Sequence, residues 1–123
     1  MSEKKSSDVL VVNGVEYVRK SAADKLPKVN RKKYIVRTYS AGVFFGEIVK
    51  RDGKETVMRN ARRLWKWDGA NSLSQLAMEG TRKPENCMFP CAVTEVILTE
   101  TIEILPCTDV AIESIEGVAV WKE

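Results

Sequence analysis

Apolar and polar side chains alternate in YIVRTYS (residues 34–40), the period of a strand with one face buried. VFFGEIVK at 43–50 follows after an Ala41-Gly42 turn. Arg51-Asp52-Gly53-Lys54 then turns the chain into ETVMR, so the stretch from 34 to 58 predicts three antiparallel strands. The next segment, NARRLWKW, fits two periods. As a helix it would place Arg59, Arg62, Arg63 and Lys66 on one face. As a strand it would place Arg63, Trp65 and Trp67 on one face and Arg62, Leu64 and Lys66 on the other. Its aromatic content and the Asp68-Gly69 turn behind it favour the strand.

Helix signals come next. Ser72 followed by Gln75 resembles a capping box, which makes SLSQLAME a short helix stopped by Gly80. A loop containing Pro84 and Pro90 leads to TEVILTETIEIL, a long β-rich run ended by Pro106. Thr108 can cap a second helix, DVAIESIE, which Gly117 ends, and VAVWK reads as a final edge strand. Ahead of all this, VLVV and VEYV flank Asn13-Gly14, the strongest short-range hairpin signal, and SAADKLPKVNRKK follows as a linker. The linker closes on the basic cluster Arg31, Lys32, Lys33, ordinarily a solvated stretch, with docking to an acidic polymer as the alternative. The expected fold is α+β: a mostly antiparallel sheet with two short helices, plus an N-terminal β-hairpin appendage. Residues 1–33 form the hairpin and basic linker, and 34–123 a single ligand-binding domain.

Composition narrows the function. The 123 residues are 44% hydrophobic and 30% charged, as in an ordinary single soluble domain. No apolar run approaches the roughly 20 residues of a membrane helix, and MSEKKSSD has no signal-peptide core, so a cytoplasmic protein with no membrane partner is expected. The chain has no histidine, which excludes the usual neutral-pH general base, the Ser–His and Cys–His pairs and most zinc enzymes. Cys87, Cys91 and Cys107 read as buried thiols. The Cys87/Cys91 spacing is metal-like, but one further cysteine and no histidine cannot complete four ligands. Charge is uneven: residues 1–33 carry +5, 34–83 another +5, and 84–123 carry −7, for a net +3. One part of such a chain can attract an anion, or the two signs can simply pair within a salt-bridged domain.

No Gly-rich phosphate loop or GxSxG elbow is present, and Glu95, Glu100 and Glu103 show no paired-carboxylate arrangement. An enzyme is therefore not expected, nor a cofactor. Binding is better supported. The stretches Tyr39–Gly46 and Arg59–Trp67 combine arginines, aromatics and glycines. Guanidinium forks bond phosphate in pairs, and aromatic faces stack on nucleobases. The same Phe44, Phe45, Trp65 and Trp67 are equally the residue types of a core or an interface, although strand alternation should turn one of Phe44 and Phe45 outward.

The run RTYSAGVFFGEIVKRDGKETVMRNARRLWKWDGANSLSQLAMEG resembles a family of small phage and prophage proteins that share an RTYSAGV-(aromatic)-x-G hairpin followed by ARRLW-x-W-x-GA-x-SLSQLA. The likeness extends over about residues 34–117. That family in turn resembles the phage inhibitors of Thoeris, a bacterial defence. Those proteins are sponges, binding cyclic ADP-ribose isomers without cleaving them, and some hold cyclic di- or trinucleotides at a separate site, in hexamers built from dimers. The resemblance implies a non-catalytic protein of the host cytoplasm that sequesters a cyclic nucleotide signal, as a homo-oligomer. It carries over Tyr39, Phe44 and Phe45 from the first motif, and Arg59, Asn60, Arg62, Arg63, Trp65 and Trp67 from the second, as ligand-binding candidates. Two other readings stand beside it: a small nucleic-acid-binding accessory protein, against which the net charge of +3 and the −7 tail argue, and a protein-interaction factor whose aromatics form an interface.

Overall fold

The computed structural model describes residues 10–11, 15–16 and 26–122. Strands β1 (Leu10–Val11) and β2 (Val15–Glu16) pair antiparallel with Leu10 opposite Glu16 and Val11 opposite Val15, a register that leaves three residues between the strands where a two-residue Asn13-Gly14 turn would leave two. The turn itself, the end of the second expected strand and residues 21–25 of the linker expected over 21–33 lie outside the described residues.

From Leu26 onward the elements are β3 (Val29–Thr38), β4 (Val43–Asp52), β5 (Glu55–Arg63), α1 (Leu73–Glu79), a 3-10 turn (Pro84–Asn86), β6 (Val93–Leu98), β7 (Thr101–Thr108) and α2 (Asp109–Glu116). All sheet pairings are antiparallel, in the order β6-β5-β4-β3-β7. The architecture is the expected α+β, a five-stranded antiparallel sheet with two helices. Both helices start at the expected caps: the Ser72 hydroxyl accepts from Gln75 N (3.2 Å) and the Thr108 hydroxyl from Ala111 N (3.1 Å).

Strands β6 and β7 form opposite edges of the sheet, yet only Thr99-Glu100 joins them. A flat five-stranded sheet would hold its outer strands about 19 Å apart. The three peptide steps from Leu98 to Thr101 reach about 11 Å at most. The sheet must therefore curl, and it does so at bulges. Register shifts between Phe45 and Glu47 and between Ile48 and Lys50 bend the β4–β5 hairpin, with Asn60 in a left-handed conformation (φ 51) opposite Gly46. A Cβ on Gly46 would lie 2.9 Å from the Asn60 carbonyl oxygen, so only glycine admits this bulge. The hairpin tip folds back onto the start of β7, where Thr101 N donates to the Lys54 carbonyl (3.0 Å) and the Thr56 and Thr101 hydroxyls bond at 2.8 Å.

Curling gives the sheet a buried inner face of Val36, Phe44, Met58, Ala61 and Leu98. The outer face carries Ile35, Phe45 and Cys107 against Leu76 and Ala77 of α1 and Ala111 and Ile115 of α2, with Leu64 and Phe89 filling between. The expectation that Phe44 or Phe45 would face solvent fails for this reason. Alternation does send them to opposite faces, but both faces are covered.

Three expected boundaries move. β3 begins at Val29, opposite Thr108, ahead of the anticipated start at Tyr34, so the basic cluster is part of the sheet. Lys33 is held there by Glu116 at 2.9 Å and Glu47 at 3.8 Å. The run TEVILTETIEIL divides into β6 and β7 on opposite edges, and Pro106 sits inside β7, tolerated on an edge strand. VAVWK makes a single parallel bridge, Val120 to Phe89, because its neighbour is a loop and not a strand. Part of the charge asymmetry of the sequence is paired within the fold, since Lys33–Glu116, Arg37–Glu103 and Arg59–Glu95 all join central basic strands to the acidic C-terminal segment.

The two helices approach at Gly80, which has φ 78 and where an added Cβ would collide with the Ser114 side chain. Gly80→Ala is expected to cost about 2–4 kcal/mol, combining backbone strain with overpacking. Gly53→Ala, also at positive φ but with nothing within 4 Å, is the control and should cost about 1 kcal/mol. Urea denaturation of both variants checks the difference.

Candidate functional site

Antiparallel pairing brings the two candidate stretches together, because Phe44 lies opposite Arg63 and Phe45 opposite Arg62. Just beyond, Leu64 N donates to the Val43 carbonyl at 2.8 Å, and the chain leaves the sheet. The result is a cleft of about 320 Å³ with the loop Ser40–Val43 as one wall and Arg63, Leu64, Trp65 and Trp67 as the other. Gly42 has φ 97, a left-handed turn position, and the Arg63 guanidinium donates to the Ala41 carbonyl beside it. The guanidinium carbon also sits 4.4 Å from the Phe44 ring centroid. Arg63 is thus exposed but pre-oriented, with most of its donors uncommitted among the described residues. Trp65 is 65% exposed, Trp67 is half-buried against the outer core, and Tyr39 next to the loop is 78% exposed.

The neighbouring arginine behaves in the opposite way. Arg62 is buried, and its guanidinium donates to the carbonyls of Phe89 (2.8 Å), Val118 (2.9 Å), Ile115 (3.0 Å), Pro90 (3.1 Å) and Ala119 (3.4 Å). It lies 5.4 Å from the Phe89 ring centroid. Burial lowers its pKa from the ordinary arginine value, although a guanidinium stays charged. Its donors cap the C-terminal carbonyls of α2 and tie the Phe89–Pro90 loop to them, which leaves none for a ligand. Arg62 and the fully buried Phe45 are committed to the core.

Phe44 is also buried and serves the cleft only as the platform under Arg63. Arg59 and Asn60 are not brought into it: Arg59 pairs with Glu95 at 3.8 Å, and the Asn60 amide donates to Glu47 at 3.3 Å. Of the candidates, then, the structure assembles Arg63, Trp65 and Trp67, with Phe44 beneath and Tyr39 alongside. The loop wall Ser40–Val43 falls inside the candidate stretch Tyr39–Gly46, although none of its four residues stands among the named ligand-binding candidates.

A larger cleft of about 360 Å³ lies between Lys66, Asp68 and Trp121 on one side and Glu85–Met88 on the other. One of its acids is already engaged. The Asn86 amide and Gly69 N both donate to Asp68 and hold its carboxyl below the usual carboxylate range. Among the described residues no three His, Cys, Asp or Glu side chains gather as a metal site. Cys87 and Cys107 are buried as expected, whereas Cys91 is exposed. No helix among the described residues is long and apolar enough to cross a membrane.

Fold and cleft together define a small α+β domain with one pre-oriented arginine beside two tryptophans, facing a glycine-bearing loop. The chain belongs to the family described as domain of unknown function DUF6948, whose pattern matches residues 31–115. No curated protein and no solved structure matches it.

Proposed function

We infer that this chain is a phage-encoded, non-catalytic protein that binds a cyclic nucleotide immune signal, a cyclic ADP-ribose isomer, and sequesters it from the bacterial defence in the host cytoplasm. The observation that carries the reading is the meeting of Arg63, Trp65 and Trp67 with the Ser40–Val43 loop in one cleft. A ligand with two phosphates and a purine needs a guanidinium fork and a flat aromatic wall, and these are the groups present. Sequestration asks for affinity alone, which a chain without histidine can supply. Tight binding also requires enclosure, and Trp65 and Tyr39 stand open to solvent. A second copy of the chain closing over them supplies the missing wall, which is the sense in which a homo-oligomer fits.

The test is a thermal-shift screen of the purified chain against cyclic ADP-ribose isomers, cyclic di- and trinucleotides, linear ADP-ribose and a short single-stranded DNA. Ligand at 1,000 times its dissociation constant stabilises the folded state by about 4.1 kcal/mol. The expected result is a large shift with one cyclic nucleotide, which is recovered unchanged after denaturation. A changed product would make the protein an enzyme, and a shift only with DNA, fading steeply with salt, would make it a nucleic-acid-binding protein.

A further inference from the structure

Arg63 lines two clefts. Besides the one it shares with Trp65, a second of about 310 Å³ is lined by Phe44, Ala61, Val93 and Val96 together with Glu95 and Cys91. Phe44, Ala61 and Val96 belong to the inner core, so this cleft is the place where the inner face of the curled sheet opens outward. Each cleft alone is near the bottom of the roughly 300–1,000 Å³ span of small-molecule sites. Sharing Arg63 as a common wall, they form a two-part site with its cation in the middle.

We propose that the second cleft is a subsite for the same ligand, receiving a planar ring that bears an exocyclic amine, such as adenine, while the phosphates sit at Arg63. The proposal rests on the sequestering reading above and names which part of the nucleotide goes where. The walls are apolar and fit a ring. The single anion of the lining, Glu95, can accept from an amine but has nothing to accept from a phosphate, which orients a nucleotide with its base here and its phosphates at Arg63. The ion pair of Glu95 with Arg59 spans 3.8 Å, beyond hydrogen-bond reach, so the carboxylate is charge-paired but keeps its acceptor capacity. The first cleft, with Trp65 and Trp67, then holds the opposite end of the molecule.

Cys91 supplies a readout inside the second cleft. Cys87 and Cys107 are buried, and burial pushes the Cys107 thiol up to about 12, so alkylation of the folded protein at neutral pH reports Cys91. The experiment follows iodoacetamide labelling, with tryptophan fluorescence reporting binding, for cyclic ADP-ribose and for its hypoxanthine analogue, cyclic inosine diphosphate ribose. At ten times the dissociation constant, cyclic ADP-ribose is expected to slow Cys91 labelling roughly tenfold. Glu95→Ala is expected to weaken cyclic ADP-ribose roughly tenfold and to leave the hypoxanthine analogue, which has no amine, within about twofold. A fluorescence change with Cys91 labelled at its free rate would overturn the subsite and leave sequestration standing. Equal loss of both ligands in Glu95→Ala would overturn the amine assignment. No fluorescence change with any of the cyclic ADP-ribose isomers would remove the sequestering reading, and this proposal with it.

Discussion

Replacing Arg62 with alanine is expected to cost about 3–5 kcal/mol of folding stability. Five carbonyl oxygens face this guanidinium, from Phe89, Pro90, Ile115, Val118 and Ala119. Removing it leaves them without their donor in a place water enters poorly, and each unsatisfied group costs about 1–3 kcal/mol where it cannot rehydrate. The C-terminus of α2 loses its cation as well, and α2 holds much of the outer core through Ala111 and Ile115. The melting temperature should fall by roughly 10–20 °C. Arg62→Lys tests the cause. Lysine keeps the charge but has one compact head in place of a planar fork, so it should recover less than half of the loss. Urea denaturation of the three proteins decides it, and an Arg62→Ala protein within 1 kcal/mol of wild type would show that the cage contributes little.

How much of this was legible in the sequence depends on which link of the chain is asked about. Helices α1 and α2 were legible to the residue because caps are local: Ser72 and Thr108 act on backbone groups three positions away. The strand reading of NARRLWKW holds to Arg63, with Arg62 and Leu64 buried and Arg63 and Trp65 exposed as a period of two demands. It fails at Trp67, which packs against the core although Trp65 does not, because the chain has left the sheet by then. The division of TEVILTETIEIL was not legible. Both halves are equally β-rich, and what separates them is which strand each pairs with, a long-range choice between β5 and β3.

The burial of both Phe44 and Phe45 has the same long-range origin. A sheet read strand by strand has one wet face, and only the short Leu98–Thr101 connection, seen together with the strand order, reveals that this sheet must close upon its own inner face. The adjacent arginines are the sharpest instance. Arg62 and Arg63 are indistinguishable in composition and motif, and the sequence offered both as ligand-binding candidates. Strand alternation points them to opposite faces, but it does not say that one face is roofed by the Phe89–Pro90 loop and the end of α2. That loop is 27 residues away along the chain, and no local pattern announces it.

Replacing Arg63 with alanine should therefore do the reverse of the change next to it. On the sequestering proposal, binding of a cyclic nucleotide is expected to weaken by about 3 kcal/mol, roughly 150-fold, the loss of charge-assisted bonds from a fork to phosphate. Stability should change by less than about 1 kcal/mol, since what the folded chain loses is a stacking contact with Phe44 and one bond to Ala41 at an exposed site. Trp65→Ala should follow the same pattern at about 1–3 kcal/mol of binding, the value of a stacked ring. Trp67→Ala should lower stability as well as affinity, because that indole packs on the outer core. Isothermal titration beside urea denaturation separates the two axes. If Arg63→Ala and Arg62→Ala lose the same stability and neither loses ligand, the cleft is an accident of packing. If the losses fall on separate axes, two neighbouring residues of identical chemistry have been divided between holding the fold and reading the ligand by the face of the strand alone.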